Sequence, residues 1–300
     1  MASPTAAERF NLLSPTWRAV AFMVAASACL AWMHGTVRMV SFGLHPFEIA
    51  FFRNLFGLMI YIPWLVRGGL IVLYTKRPGA HVVRGVFNSG SMLLWFTALS
   101  MVPLAEATAL SLTGPLFVTL GAMAFLGERV GAGRWIAVLI GGSGALVIIR
   151  PGFEALNLGM VFAVAGTALV AVSKLVAKSL TRTESAATVA FHVQLMMMLI
   201  TFCFAVFVWQ WPDWEQLAWL AVIGILGGCG HFLFTKAYVI ADVSFAEPIV
   251  FTRLVWAALF GLLVFSEIPD IYTWIGAALI VGATSYNAQR ERAEKARQAR

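Results

Sequence analysis

Six ionisable side chains fall deep inside apolar stretches: His34, Arg53, Lys174, His192, His231 and Arg253. The carboxylates Glu48, Glu106, Glu128, Asp242, Glu247 and Glu267 fall near the ends of those stretches instead. A charge at the centre of a lipid-embedded helix costs at least about 2.5–3.5 kcal/mol, so it must face a partner or a wet cavity. A basic interior suits a ligand bearing a carboxylate and argues against a midplane Asp/Glu proton relay. Histidine titrates near neutral pH, which makes His34 and His231 the candidates for any proton coupling.

The polar residues around these groups recur at helical spacing. Ser27, His34 and Arg38 follow i, i+7, i+11; Asn88, Ser91 and Trp95 follow i, i+3, i+7, as do Thr108, Ser111 and Pro115. Thr167, Lys174 and Lys178 share a fourth such face, and His231, Thr235 and Tyr238 a fifth. Five stripes of this kind are expected of helices lining one cavity. The candidate substrate-binding set is therefore His34, Arg38, Asn88, Ser91, Trp95, Ser111, Lys174, His231, Tyr238, Arg253 and Trp256. Trp95 would stack on a substrate ring or ammonium group. Each stripe has a competing structural role. Membrane Ser and Thr bond back to the i−4 carbonyl or join helices, Lys178 reaches for the headgroups, and Arg253 has Glu247 as a possible ion-pair partner six residues away.

Other chemistries find little support. GGSG at 141–144 fits a Gly-x-Ser-Gly nucleophile pattern with His231 as a conceivable base, the remote alternative of an intramembrane serine protease. Small residues in a Gly-rich helix are equally the mark of close packing. No HExxH, P-loop or dinucleotide fingerprint is present, so neither a cofactor nor a metal is expected. Cys29, Cys203 and Cys229 form no metal or disulfide spacing. The net charge of +7 is spread between apolar blocks and at the C-terminus rather than in a nucleic-acid-binding patch.

The elements that must position these groups are membrane helices. Of the 300 residues, 60% are hydrophobic and 12% charged, and the mean hydropathy is +0.84; a soluble domain holds about 25% charged residues. Ten stretches reach spanning length, at roughly 17–40, 46–66, 81–100, 104–126, 133–150, 157–180, 185–208, 215–237, 243–265 and 271–288. The class is an all-α integral membrane protein. With the N-terminus cytoplasmic, sixteen of the 21 Lys and Arg residues fall at cytoplasmic loops, helix ends or the basic tail 289–300. The rule that cytoplasmic loops carry the positive charge then puts both termini in the cytoplasm. Trp17, Trp64, Trp135, Trp209, Trp211, Trp214, Trp219 and Trp274 read as interfacial anchors.

The chain also repeats. LGERVGAGRW (126–135) and FSEIPDIYTW (265–274) each place a Glu seven residues before a Trp, and Glu128 and Glu267 are 139 residues apart. At the same offset Thr113 falls on Thr252; at about 140, Arg38 falls on Lys178 and Asn54 on Gln194. Five spans per half force the second half to enter the membrane from the opposite side, giving an inverted-topology repeat around a central cavity. The expected halves are 1–152 and 153–288. Glu128 and Glu267 would then lie a bilayer apart, each capping the helix that follows it.

ALSMVPLAEATALSLTGPLFVTLGAMAFLGERVGAGRWIAVLIGGSGALVI resembles the best-marked segment of EamA-type drug/metabolite transporters. Pro115 stands in the fourth span, Gly-Glu-Arg closes it and a Gly-rich fifth span follows. Pro46 followed by Arg53 is similar to the family's spacing into the second span. Ser266-Glu267 departs from Gly-Glu-Arg in the second half. The resemblance implies a ten-helix, basket-like transporter of a bacterial-type inner membrane, most similar to the branch exporting aromatic and other neutral amino acids and related metabolites. It implies small-molecule and lipid partners, with ten spans sufficient for a monomer. The alternative within the same class is a carrier of a nucleoside-like or organic-cation metabolite, with import as its direction.

Overall fold

The computed structural model describes residues 14–59, 74–126, 132–151, 157–240 and 249–298. The helices are α1 (Pro15–Val40), α2 (Pro46–Met59), α3 (Pro78–Met101), α4 (Leu104–Ser111), α5 (Gly114–Leu126), α6 (Ala132–Ile149), α7 (Leu158–Leu180), α8 (Ala186–Ala205), α9 (Trp214–Ile240), α10 (Thr252–Phe265) and α11 (Ile271–Gln298). Among the described residues five stretches are long and apolar enough to cross a membrane: Pro15–Val40, Leu104–Ala124, Leu158–Leu180, Thr188–Val208 and Trp214–Ala237.

Local chemistry sets the ends. Ser14 accepts the Trp17 amide and Pro15 opens α1; Asn157 accepts the Gly159 amide at α7; Ser185 accepts the Thr188 amide at α8. At α9 the Asp213 carboxylate accepts the Gln216 amide (2.8 Å) while the Gln216 side chain accepts the Asp213 amide (3.0 Å), a reciprocal capping box. Two sequence expectations change. The fourth span is not one helix: it breaks at Leu112–Thr113 because Pro115 has no amide to donate to the Ser111 carbonyl. The tenth span does not stop at 288; α11 continues to Gln298 through the charged tail. The remainder of the second span (60–66) and the first residues of the ninth (243–248) lie outside the described residues.

The two halves interlock rather than sit side by side. α3 packs on α7 and α9 packs on α1, which is the third span on the sixth and the eighth on the first. α8 meets α3 as α9 meets α2, and α10 meets α1 as α4 and α5 meet α7. Every such pair maps onto the other when the halves are exchanged. Three pairs map onto themselves: α2 with α8, α4 with α10, and α6 with α11. This is the signature of a two-fold axis relating inverted repeats.

The axis is visible at the level of atoms. Asn54 and Gln194, equivalent in the repeat, are bonded to each other: Gln194 Nε2 donates to the Asn54 carbonyl (2.9 Å) and to Asn54 Oδ1 (3.2 Å). At the α6–α11 crossing a Cβ on Gly144 would stand 2.7 Å from the Gly276 carbonyl, and one on Gly276 would stand 2.5 Å from the Gly144 carbonyl. Only glycine allows backbones this close.

Candidate functional site

The interior is built where α1, α2, α4, α9 and α10 converge. His34, half-buried on α1, meets Trp95 of α3 edge to face, with ring centroids 5.3 Å apart. Arg253, Arg53 and His231 are among the groups near enough to act on the His34 ring. Arg253 Nη2 donates to Ser111 Oγ (3.1 Å), which in turn donates to the Thr108 carbonyl (2.7 Å). Ser111 is the last residue of α4, so the break in the fourth span presents its hydroxyl to an arginine from the opposite half. Arg53 Nη1 donates to Asn54 Oδ1 (3.0 Å), and its Nε and Nη2 face α9 at Gly227. His231 lies one turn beyond Gly227 and is exposed. Among the described residues Ser27 Oγ, Thr108 Oγ1 and His34 Nδ1 are buried polar atoms with no hydrogen-bond partner. Buried polar atoms are normally satisfied, so these three mark positions where a bound solute or water has something to bond.

The expected set thus divides. His34, Trp95, Ser111, His231 and Arg253 come together. Trp256, half-buried on α10, packs against the hydrophobic core. Ser91 does not face the interior: it donates to the Gly166 carbonyl (2.7 Å) and ties α3 to α7. Asn88 donates to the Met197 sulfur (2.8 Å) and faces α8. Lys174 is exposed on α7. The side chain of Tyr238 lies outside the described residues. His192 belongs elsewhere too. It stacks on His81 at 4.5 Å, beside the ion pair of His81 with Glu184. The Ser143 hydroxyl donates to the Ile140 carbonyl on its own helix (2.7 Å), not to His231.

Arg38, expected in the substrate-binding set, is held at one mouth of the interior by the other half. Its guanidinium pairs with Glu267 and bonds the Val102 carbonyl, and Glu267 Oε2 accepts the Leu104 amide (3.3 Å) at the start of α4. Arg38 also lies over the Phe265 ring, 4.9 Å from its centroid. Glu267 was expected to cap the helix after it, yet it caps α4 of the other half. Ser266 takes the left-handed conformation (φ 56°) that turns the chain back to make this reach. Arg150 pairs with Asp270 on the same loop. Just beneath lies a cavity of about 150 Å³ lined by Pro103, Ala105, Glu106, Ala258, Gly261 and Glu267 among others. Glu128, its repeat equivalent, lies outside the described residues.

A second tie joins the start of α3 to the α7–α8 loop. Glu184 accepts the Lys76 and Arg77 amides (3.0 and 3.2 Å), the Thr75 hydroxyl and His81 Nε2. Burial opposes ionisation of Glu184, but the Thr75 and His81 hydrogen bonds and the His81 charge outweigh it and hold the carboxyl down at about 2. On the loop before α9, Glu48 accepts the Gln210 amide in the corresponding way.

Paired, inverted five-span halves around a basic and aromatic interior, with ion pairs across one mouth, define a membrane transporter. The profile of the EamA-like transporter family matches residues 17–150 and again 157–287. The chain belongs to that family. It is 31% identical over 243 residues to an S-adenosylmethionine uptake transporter of Rickettsia bellii, covering 81% of this chain and 84% of the relative. It is 32% identical over 256 residues to a riboflavin transporter of Vibrio cholerae, covering 84% and 86%. With a pseudopaline exporter of Pseudomonas aeruginosa the identity is 27%, covering 88% and 93%. A solved crystal structure superposes with a TM-score of 0.60 at 20% identity, covering 91% of this chain and 97% of that one, a likeness of fold.

Proposed function

We propose that this protein carries small amino-acid metabolites across a bacterial inner membrane by alternating access. The halves 1–152 and 153–288 would rock about the interior, with both termini in the cytoplasm. The observation that carries this reading is the convergence of His34, Arg253 and Ser111 beside Trp95. A carboxylate suits the cations, and an apolar or aromatic body suits the indole. His34 and His231 are the groups through which a proton gradient would couple. The Ser143 hydroxyl is engaged with its own helix, and the named relatives are transporters, which supports transport over the protease reading.

The sequence suggests amino-acid export; the relatives are named for S-adenosylmethionine uptake, riboflavin and pseudopaline export. S-adenosylmethionine is at once an amino acid and a nucleoside derivative, so one site of this chemistry accommodates both readings of the sequence. Purified protein in liposomes, offered labelled L-phenylalanine, L-tryptophan, S-adenosylmethionine and riboflavin from either face, tests the proposal. Saturable flux of at least one amino acid supports it. Flux of riboflavin alone shifts the substrate to a heteroaromatic without a carboxylate, and no flux of any of the four sinks the proposal.

A further inference from the structure

The tie at the start of α3 runs between the two halves. Thr75, Lys76, Arg77 and His81 of the first half meet Glu184 and Ser179 of the second. At its centre the His81 and Glu184 side chains are 2% and 4% exposed. Apolar residues of similar volume hold helices together as well as a buried pair of this kind does, so stability alone gives little reason for it. The inverted repeat offers a comparison at the other end of the molecule. There Glu48 accepts the Gln210 amide and the His45 amide (3.3 Å). The His45 ring lies outside that grip: its Nδ1 accepts the Phe47 amide (3.3 Å), and the ring meets Phe47 edge to face. Each end thus has a carboxylate holding a loop of the opposite half, but a titratable ring completes the grip on the α3 loop and not on the α9 loop.

His81 has one place for a further proton. Its Nε2 bonds Glu184, and its Nδ1 is a buried atom with no hydrogen-bond partner among the described residues. Glu184, held down at about 2, is an anion throughout the neutral range in which histidines change charge. Charging the ring turns its bond to Glu184 into an imidazolium–carboxylate pair, and charge-assisted hydrogen bonds are about twice as strong as neutral ones. His192 of α8 covers the ring face, with centroids 4.5 Å apart. The His192 Nδ1 stands 2.9 Å from the Thr188 carbonyl, an acceptor, which fixes its proton on that nitrogen. The other charged groups around the ring are cations. Arg77 Nη1 donates to the Ser179 carbonyl and hydroxyl (both 3.1 Å), and Arg84 Nη1, one turn along α3, donates to the Val189 carbonyl (2.9 Å). Lys76 before α3, Lys178 at the end of α7 and Arg182 just beyond it are exposed.

We propose that His81 is a proton-binding site that tightens the tie between the halves, so that acid on this face restrains their relative movement. Glu184 supplies the counter-charge, and His192 covers the ring while staying neutral itself. On the proposed orientation this face is the cytoplasmic one. The ligand is a proton alone, so the inference goes beyond the substrate reading and does not depend on it.

Two measurements on the purified protein in detergent test this, and neither needs a solute. The first is protection of the amides of residues 75–85 against hydrogen–deuterium exchange, corrected for the intrinsic rate at each pH. From about pH 8 to about pH 5.5 protection in the wild type should rise roughly fivefold, the difference between a neutral and a charged hydrogen bond. His81→Gln keeps an N–H for Glu184 but cannot be charged. It should match the wild type at the higher pH and show no rise. His192→Phe, which keeps an aromatic face on His81, should retain the rise. The second is nitrogen NMR of the five histidine rings, with His81 identified by its contact with the Glu184 carboxyl carbon. Over the same range His81 should pass from one protonated nitrogen to two, while His192 keeps its single proton on Nδ1. No rise in the wild type, an equal rise in His81→Gln, or a His81 ring whose protonation does not change would each overturn the inference and leave the transport reading standing.

Discussion

The ion pair at the end of α1 makes a quantitative demand. Arg38 and Glu267 come from opposite halves, and their side chains are only 12% and 23% exposed. Glu267→Gln keeps an oxygen for the Leu104 amide but removes the charge that holds Arg38. A hydrogen bond to a charged group is worth about 1.5–3 kcal/mol, which converts to roughly a ten- to hundredfold shift toward the open mouth. The readout is a single cysteine at Ala105 or Ala258, both buried on the wall of the mouth cavity, in a background with Cys29, Cys203 and Cys229 replaced. Its reaction with a membrane-impermeant maleimide, applied from each face, measures the open fraction. Glu267→Gln should accelerate labelling from one face by that factor and leave the other face unchanged. The exchange Arg38→Glu with Glu267→Arg should restore much of the slow rate, since the pair is rebuilt in reverse. Labelling at the wild-type rate in Glu267→Gln would show that the pair does not close the mouth.

Three further outcomes follow from the geometry. Gly276→Leu drives a side chain into the Gly144 carbonyl, and overpacking of this kind costs about 1–3 kcal/mol, so the unfolding temperature in detergent should fall while the α2–α8 contact is untouched. Glu184 titrates lower in the folded protein than its ordinary 4.5, so its stabilising contribution is complete above that value and is lost as pH falls toward about 2. Thermal unfolding followed across that range should lose stability more steeply for wild type than for Glu184→Gln, which has nothing left to titrate. Ser111→Ala removes the acceptor of a hydrogen bond from the Arg253 guanidinium, for which a rise in KM of roughly ten- to hundredfold is expected, with surface expression unchanged.

Hydropathy made the spans legible, and the Glu–Trp spacing made the repeat legible. Both depend on features written along one strand of sequence. What stayed hidden depends on which helix lies next to which. In lipid the outer face of a helix is as apolar as its packed face, so the periodicity that orients a soluble helix says little here. Ser91 and Trp95 share a stripe, yet one ties α3 to α7 and the other meets His34. Arg38 shares a stripe with His34, yet the α10–α11 loop reaches over and takes it. Asn54 and Gln194 aligned in the repeat without any sign that they touch. The inversion supplies that sign in retrospect, since repeat-equivalent residues that meet must lie on the axis. Arg53 stood out as an intramembrane charge, but its bond to Asn54 and its place against Gly227 of α9 required the helices to be packed. The break at Leu112 was legible as a proline, and its consequence, a hydroxyl offered to Arg253, required the ninth span to be in place.

The central claim is that two inverted halves pass one interior site from face to face. It is tested most directly by counterflow in liposomes, using labelled S-adenosylmethionine and labelled L-phenylalanine outside and the same unlabelled solute inside. A carrier whose site is exposed alternately must accumulate label transiently above its equilibrium level, saturate with external solute, and accelerate with internal solute. All three are expected for at least one of the two solutes. Flux that rises linearly with concentration and ignores the solute inside would contradict it.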